Sequence, residues 1–144
     1  MDFAECKRAF VSCSNETSWK YFDIQKGDAA IFTCQAAHSD NIKQIQFLPK
    51  SNQYVLSAGQ DKELKLWKID LEMAQDFNLP QVFDSDDQKP YEQLSSVRLN
   101  EPIENFCMTK LEDTTLIFAA NGNLISLIEL DENSLKCLSN IHAF

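Results

Sequence analysis

The sequence predicts an all-β chain of repeated antiparallel strand units. Three observations carry this. Residues 42–69 hold three short alternating apolar runs separated by turn-forming residues. Residues 55–69 align without a gap to residues 10–24, 45 positions earlier. Asn121-Gly122-Asn123 separates two further alternating runs, and Asn and Gly accept the positive φ that a tight hairpin demands.

The central unit is the clearest. Ile42, Ile45 and Phe47 mark a first strand, which Pro49-Lys50-Ser51-Asn52 closes with turn chemistry. Tyr54 to Ala58 forms a second strand, ended by Gly59-Gln60-Asp61. Leu64 to Ile69, LKLWKI, alternates apolar and basic residues with period two, as a strand with one buried face does. Three such strands joined by tight turns make an antiparallel meander.

Four features of this stretch resemble a WD repeat, the four-stranded blade of a β-propeller. They are His38 before the first strand, Ser57-Ala58-Gly59 closing the second, Asp61 in the turn and Trp67 late in the third. The resemblance implies a structural tetrad of His38, Ser57, Asp61 and Trp67. Hydrogen-bonding capacity agrees with it: an indole N–H only donates, whereas a hydroxyl and a neutral imidazole both donate and accept. A relay from Trp67 to Ser57 to His38 to Asp61 satisfies each polar group inside one blade. Lys68 departs from the family pattern, which often has Asp after the tryptophan.

The earlier copy fits the 40–45-residue period of such blades. Ser12 falls on Ser57, Glu16 on Asp61, Phe22 on Trp67 and Ile24 on Ile69. Phe22 cannot donate, so the relay is incomplete in this unit, and Trp19, at the position of Leu64, is expected to pack. Residues 25–29 read as a turn and Ala30 to Cys34 as an outer strand. The chain is expected to supply only the last three strands of this blade.

After Ile69 the periodicity stops. Residues 70–92 hold seven acids, two prolines and one lysine, hence −6 of the chain's formal charge of −9. The stretch reads either as a solvated insertion or as a docking segment, with Phe77, Leu79, Val82 and Phe83 as anchors among acids such as Asp86 and Asp87. Residues 93–99 resume alternation as an outer strand, and Asn100-Glu101-Pro102 connects to the third unit. There Ile103 to Met108, Thr114 to Ala120, Leu124 to Leu130 and Ser134 to Leu138 read as strands. Ile128 stands at the tryptophan position and Ala119 at the serine position, so packing is expected to replace the relay. Ile141-His142-Ala143-Phe144 resembles the entry to a fourth unit. The blades therefore fall at about 1–35, 42–98 and 103–138, an incomplete ring. A propeller closes with typically four to eight blades, so this segment is expected to belong to a longer propeller or to complete a ring supplied by other chains.

Composition narrows the chemistry. At 144 residues, with a formal charge of −9 and a pI near 4.6, the chain is a poor general partner for duplex DNA or an anionic membrane. No apolar run approaches the ~20 residues of a membrane span, and acids in MDFAECKRAF argue against a secretory signal, so an intracellular protein is expected. Five cysteines include no CxxC pair and read as small buried hydrophobes. The two histidines both fall at positions the repeat explains. Three glycines form no phosphate cradle, and Lys43, Lys65 and Arg98 form no basic patch for single-stranded RNA. No enzyme, cofactor or metal is expected.

What the resemblance implies about function is a rigid platform for protein partners in a large assembly. Asp40, Asn41 and Glu101 in the loops, with Phe77, Phe83, Asp86 and Asp87 in the insertion, are the expected contacts. A conventional repeat followed by a shorter one with a glycine turn and no tryptophan is similar to nucleolar WD-repeat proteins of the small-subunit processome. That likeness implies ribosome assembly. A peptide-reading adaptor of a ubiquitin ligase and a ciliary or vesicle-coat architectural protein are the alternatives. The first needs a basic or aromatic cluster on the top face of the ring, the second a partner strand paired to the edge at 134–138. Nucleus and cytoplasm both remain open.

Overall fold

The computed structural model describes residues 1–6, 8–27, 29–74 and 89–142. Twelve strands form three four-stranded antiparallel sheets in which chain neighbours pair. Sheet 1 comprises β1 (Asp2–Phe3), β2 (Ala9–Cys13), β3 (Trp19–Asp23) and β4 (Phe32–Cys34). Sheet 2 comprises β5 (Ile42–Phe47), β6 (Tyr54–Gly59), β7 (Glu63–Ile69) and β8 (Tyr91–Arg98). Sheet 3 comprises β9 (Ile103–Leu111), β10 (Thr114–Asn121), β11 (Leu124–Asp131) and β12 (Ser134–His142). A single helical turn, α1 (Leu71–Ala74), follows β7. The three sheets stack without closing into a ring.

Period-two alternation places one row of each strand on each sheet face. Val11 pairs with Tyr21 and Cys13 with Trp19 in sheet 1. Leu56 pairs with Leu66 and Ala58 with Leu64 in sheet 2, the register that the 45-residue offset predicts. One core lies between sheets 1 and 2, where Val11, Trp19, Tyr21 and Phe32 meet Phe47, Val55, Trp67 and Ile69. A second lies between sheets 2 and 3, where Leu56, Leu64 and Leu66 meet Ile103, Ile117 and Ile128. Gln44 clamps this second seam: its amide donates to Phe106 O at 2.9 Å and accepts from Phe106 N at 2.9 Å.

The structure corrects four expectations. Sheet 1 has a first strand, β1, two residues long, held because Asp2 Oδ2 accepts from Phe47 N at 2.8 Å and Phe3 pairs with Phe10. Residues 24–26 form a short 3-10 turn, capped by Asp23 accepting from Gln25 N. The outer strand of sheet 3 does not stop at Leu138. A register shift at Leu127/Ile128 carries it on to His142, which pairs with Leu124. His142 is thus exposed on a strand rather than in a loop like that of His38. Finally, the hairpin between β10 and β11 is only two residues long, with Gly122 at φ 63, and Asn121 is the last residue of β10, fully buried.

Asn121 also changes the reading of sheet 3 as purely packed. With its amide nitrogen facing the acceptors, Asn121 donates to Ser126 Oγ at 3.1 Å and to the Leu124 and Ala119 carbonyls. Ser126 Oγ in turn donates to Asn140 Oδ1. Ile117 and Ile128 do pack at the positions of Val55 and Trp67, but a small polar chain in which Asn121 and Ser126 are buried sits beside them.

Candidate functional site

The four tetrad positions come together inside sheet 2. Trp67 Nε1 donates to Ser57 Oγ at 2.8 Å, and Ser57 Oγ lies 2.7 Å from His38 Nε2. His38 Nδ1 lies 3.0 and 2.9 Å from the two oxygens of Asp61. Asp61 also accepts from the backbone N–H of Ser39 and of Glu63, each at 3.1 Å. The imidazole is wholly buried and the carboxylate nearly so.

The electrostatics set the direction of every bond. Burial pushes the His38 pKa below 6.5, and Asp61 only partly opposes it. Burial alone would raise Asp61, but its hydrogen bonds from His38, Glu63 and Ser39 hold it below 3.8. A neutral His38 therefore donates from Nδ1 to a charged Asp61 and accepts at Nε2 from Ser57, whose oxygen accepts from Trp67. Every polar group of the relay thus has a partner within sheet 2 and its flanking loop.

Two expected results arise here. Trp67→Phe should cost about 1–3 kcal/mol in urea unfolding, because the Ser57 oxygen loses its buried donor. A change of a few tenths would mean that the indole contributes packing only. The second concerns pH. An unfolded His38 takes up a proton near 6.5 while the folded one, with its lowered pKa, does not. The unfolded chain therefore binds more protons, and stability present above 6.5 is lost as the pH falls through the folded value. Asp61, lowered below 3.8, acts in the same sense further down. The urea midpoint should fall on acidification from pH 6.5, with a shallower slope in His38→Gln; equal slopes would assign the effect elsewhere.

The remaining candidate residues are divided. Asp40 is exposed and Asn41 half-buried, with Asn41 O accepting from Gln60 N at 2.9 Å. Glu101 is exposed and its side chain lies over Gly122. All three sit at one end of the sheets, with the tetrad turn, because β5 and β9 begin there. Phe77, Phe83, Asp86 and Asp87 lie outside the described residues. The chain leaves for that segment at the opposite end, where β7 stops at Ile69 and Asp70 N donates to Pro90 O at 2.7 Å. Strand direction alone thus puts Asp40, Asn41 and Glu101 at the end opposite Ile69 and Asp70.

One feature was not foreseen in the sequence. A cleft of about 440 Å³ opens beside that exit, lined by Gln53, Lys68, Asp70 and Tyr91 among others, with charges of both signs. Of the five cysteines only Cys34 is buried, its thiol pushed up to about 12 chiefly by burial. Cys6 and Cys107 are exposed, so the small-hydrophobe reading holds for one of them. Trp19 packs edge-on to Phe32, Trp67 and Tyr91 at the position equivalent to Leu64. Among the described residues, no three His, Cys, Asp or Glu side chains are grouped to hold a metal ion.

Comparison with known proteins gives the fold. No family model matches the sequence, and no curated protein matches it. A chain in the crystal structure of the mitotic checkpoint complex superimposes with a TM-score of 0.70 at 13% identity, over 96% of this chain and 37% of that one. The β-propeller domain of Myceliophteria thermophila Cps50 (Swd1) superimposes with a TM-score of 0.67 at 16% identity, over 94% of this chain and 36% of that one. This chain therefore spans little more than a third of either neighbour. It has the fold of β-propeller blades: three four-stranded antiparallel sheets in an unclosed array.

Proposed function

We propose that this chain is a non-enzymatic scaffold that mediates protein–protein contacts within a large intracellular assembly. The observation that supports the reading is the pair of apolar faces at the two ends of the stack. Phe3, Phe10 and Phe22 form a ring-on-ring series on the open face of sheet 1, with centroids 5.4 and 4.8 Å apart. Phe118 and Ile125, each 37% exposed, lie on the open face of sheet 3. Contiguous exposed apolar surface of this kind marks sites of association. The internally satisfied tetrad supports the same reading, since it stiffens a blade and offers no group for catalysis. Within the class, the assembly we favour is the small-subunit processome, supported by the order of a conventional repeat and a shorter tryptophan-free one. Asp40, Asn41 and Glu101 then offer contacts at one end, and the acidic insertion at 70–92 is the other contact segment of this reading.

Sedimentation of the tagged chain from cells tests both levels. Movement with particles that contain small-subunit precursor RNA, together with nucleolar fluorescence, is the expected result. Movement with a large assembly that lacks this RNA would remove ribosome assembly and keep the scaffold. A chain found only as a free, small species would overturn the scaffold itself.

A further inference from the structure

A second cavity, of about 240 Å³, opens at the end of the seam between sheets 1 and 2 where β7 stops. The chain before β2, the end of β3, the β5–β6 turn and α1 meet around it. Its acceptors are engaged. Asp23 is 5% exposed; Oδ1 accepts from Gln25 N at 2.9 Å and Arg8 Nε at 3.1 Å, and Oδ2 from Arg8 Nε at 3.0 Å and Nη2 at 2.9 Å. Asn52 Oδ1 accepts from Cys6 N at 2.8 Å, which leaves the amide nitrogen as the free end. Its donors are not engaged to the same degree. Tyr21 is 5% exposed with its ring stacked on Phe32, and among the described residues its hydroxyl has no hydrogen-bond partner. That hydroxyl lies in the fields of Asp23, Cys6 and Arg8, which line the same cavity, so it points there rather than into the core. Burial pushes its pKa up to about 12, so it remains a phenol able to donate. Arg8 spends Nε–H and one Nη2–H on Asp23 and keeps the Nη1 side of its fork. A hydroxyl buried this deeply without a partner costs stability that a bound acceptor recovers.

We propose that this cavity binds a carboxylate on a short apolar stem, as a glutamate side chain of a partner presents it. A carboxylate only accepts, so it matches the Tyr21 O–H, the free Asn52 amide nitrogen and the Nη1 side of Arg8. The stem has Ala9 and Leu71 to lie against. Asp23 does not repel it strongly, because Arg8 offsets that charge at 2.9 Å. The volume is below the roughly 300–1,000 Å³ of pockets that enclose a whole drug-sized ligand, and suits a single side chain. Such a site adds to the scaffold reading and does not depend on it.

NMR of the isotope-labelled full chain decides it, with glutamate blocked as its N-acetyl, N-methylamide form as the probe. The expected result is a saturable shift of the Arg8 Nε–H and the Asn52 side-chain amide, while signals from the His38 loop stay in place. Tyr21→Phe should weaken binding about fivefold, yet leave the thermal midpoint equal or higher, since the hydroxyl bonds nothing in the free chain. Asn52→Ala, on an exposed turn, supplies a second weakened variant even if Tyr21→Phe does not fold. Butyrate has a comparable short stem and carboxylate without the peptide groups, and it separates the sources. Weaker binding of butyrate assigns the site to a partner's side chain, and equal binding assigns it to a free carboxylate. The correspondingly blocked glutamine should bind far more weakly. Equal binding of the glutamine form overturns the carboxylate, as does the lack of any saturable shift. Wild-type affinity in both variants overturns the site. None of these failures touches the scaffold reading, because sedimentation reports the assembly and not this cavity.

Discussion

Asp61→Ala should lower the unfolding free energy by about 3 kcal/mol, because a buried imidazole loses its acceptor. Asp61 accepts from His38 Nδ1 and from two backbone N–H groups, of Ser39 and Glu63. Truncation orphans all three. The two backbone donors lie near the surface and can turn to water, but the His38 ring is wholly buried and cannot. An orphaned buried donor costs ~1–3 kcal/mol, and the loosened turn adds to it. Asp61→Asn keeps one carbonyl oxygen for His38 and should cost about 1 kcal/mol. Urea unfolding followed by tryptophan emission measures both. If Asp61→Ala and Asp61→Asn cost the same, the charge rather than the acceptor geometry is what matters; a loss under about 1 kcal/mol for Asp61→Ala would show that the carboxylate does not organise the turn.

Gly59→Ala should cost about 2 kcal/mol, for a steric reason. A Cβ at Gly59 would sit 2.6 Å from the Asn41 carbonyl oxygen and 3.4 Å from Asp61 Oδ1. The obstacle is backbone, so it cannot rotate away. That same carbonyl accepts from Gln60 N, so any shift that relieves the clash stretches the link between the His38 loop and the Asp61 turn. Gly122 is the contrast. Its φ of 63 disfavours a side chain, but the nearest atom, 3.1 Å away, belongs to the flexible Glu101 side chain. Gly122→Ala should therefore cost only about 1 kcal/mol. The order of the two thermal midpoints tests the argument, and Gly122→Ala melting below Gly59→Ala would reverse it.

Much of the fold was legible in the sequence because the information is local. Period-two alternation in LKLWKI, the turn at Gly59-Gln60-Asp61 and the 45-residue offset specify hairpins and their register without reference to distant residues. The tetrad positions were legible through the resemblance of residues 38–67 to a WD repeat, with which the donor and acceptor capacities of His38, Ser57, Asp61 and Trp67 agree. Sheet 3 shows where such reading stops. Asn121, flanked by Gly122 and Asn123, reads as turn chemistry, but its side chain finds Ser126 across the hairpin and is buried. That choice depends on a neighbour five residues away and on the fit of the core.

By itself, then, the sequence determined the strands with strong alternation, their pairing within each hairpin and the residues able to form the buried relay. Only the tertiary structure decided the rest. β1 is two residues long and exists because Phe47 N and Phe10 are there to bond it. β12 continues through Leu138 to His142 because a bulge brings Asn140 onto Ser126. Which face of each sheet is covered and which cysteine is buried follow from how the sheets stack. Alternation tells which residues share a face, but a face acquires its buried or open character only from what packs against it.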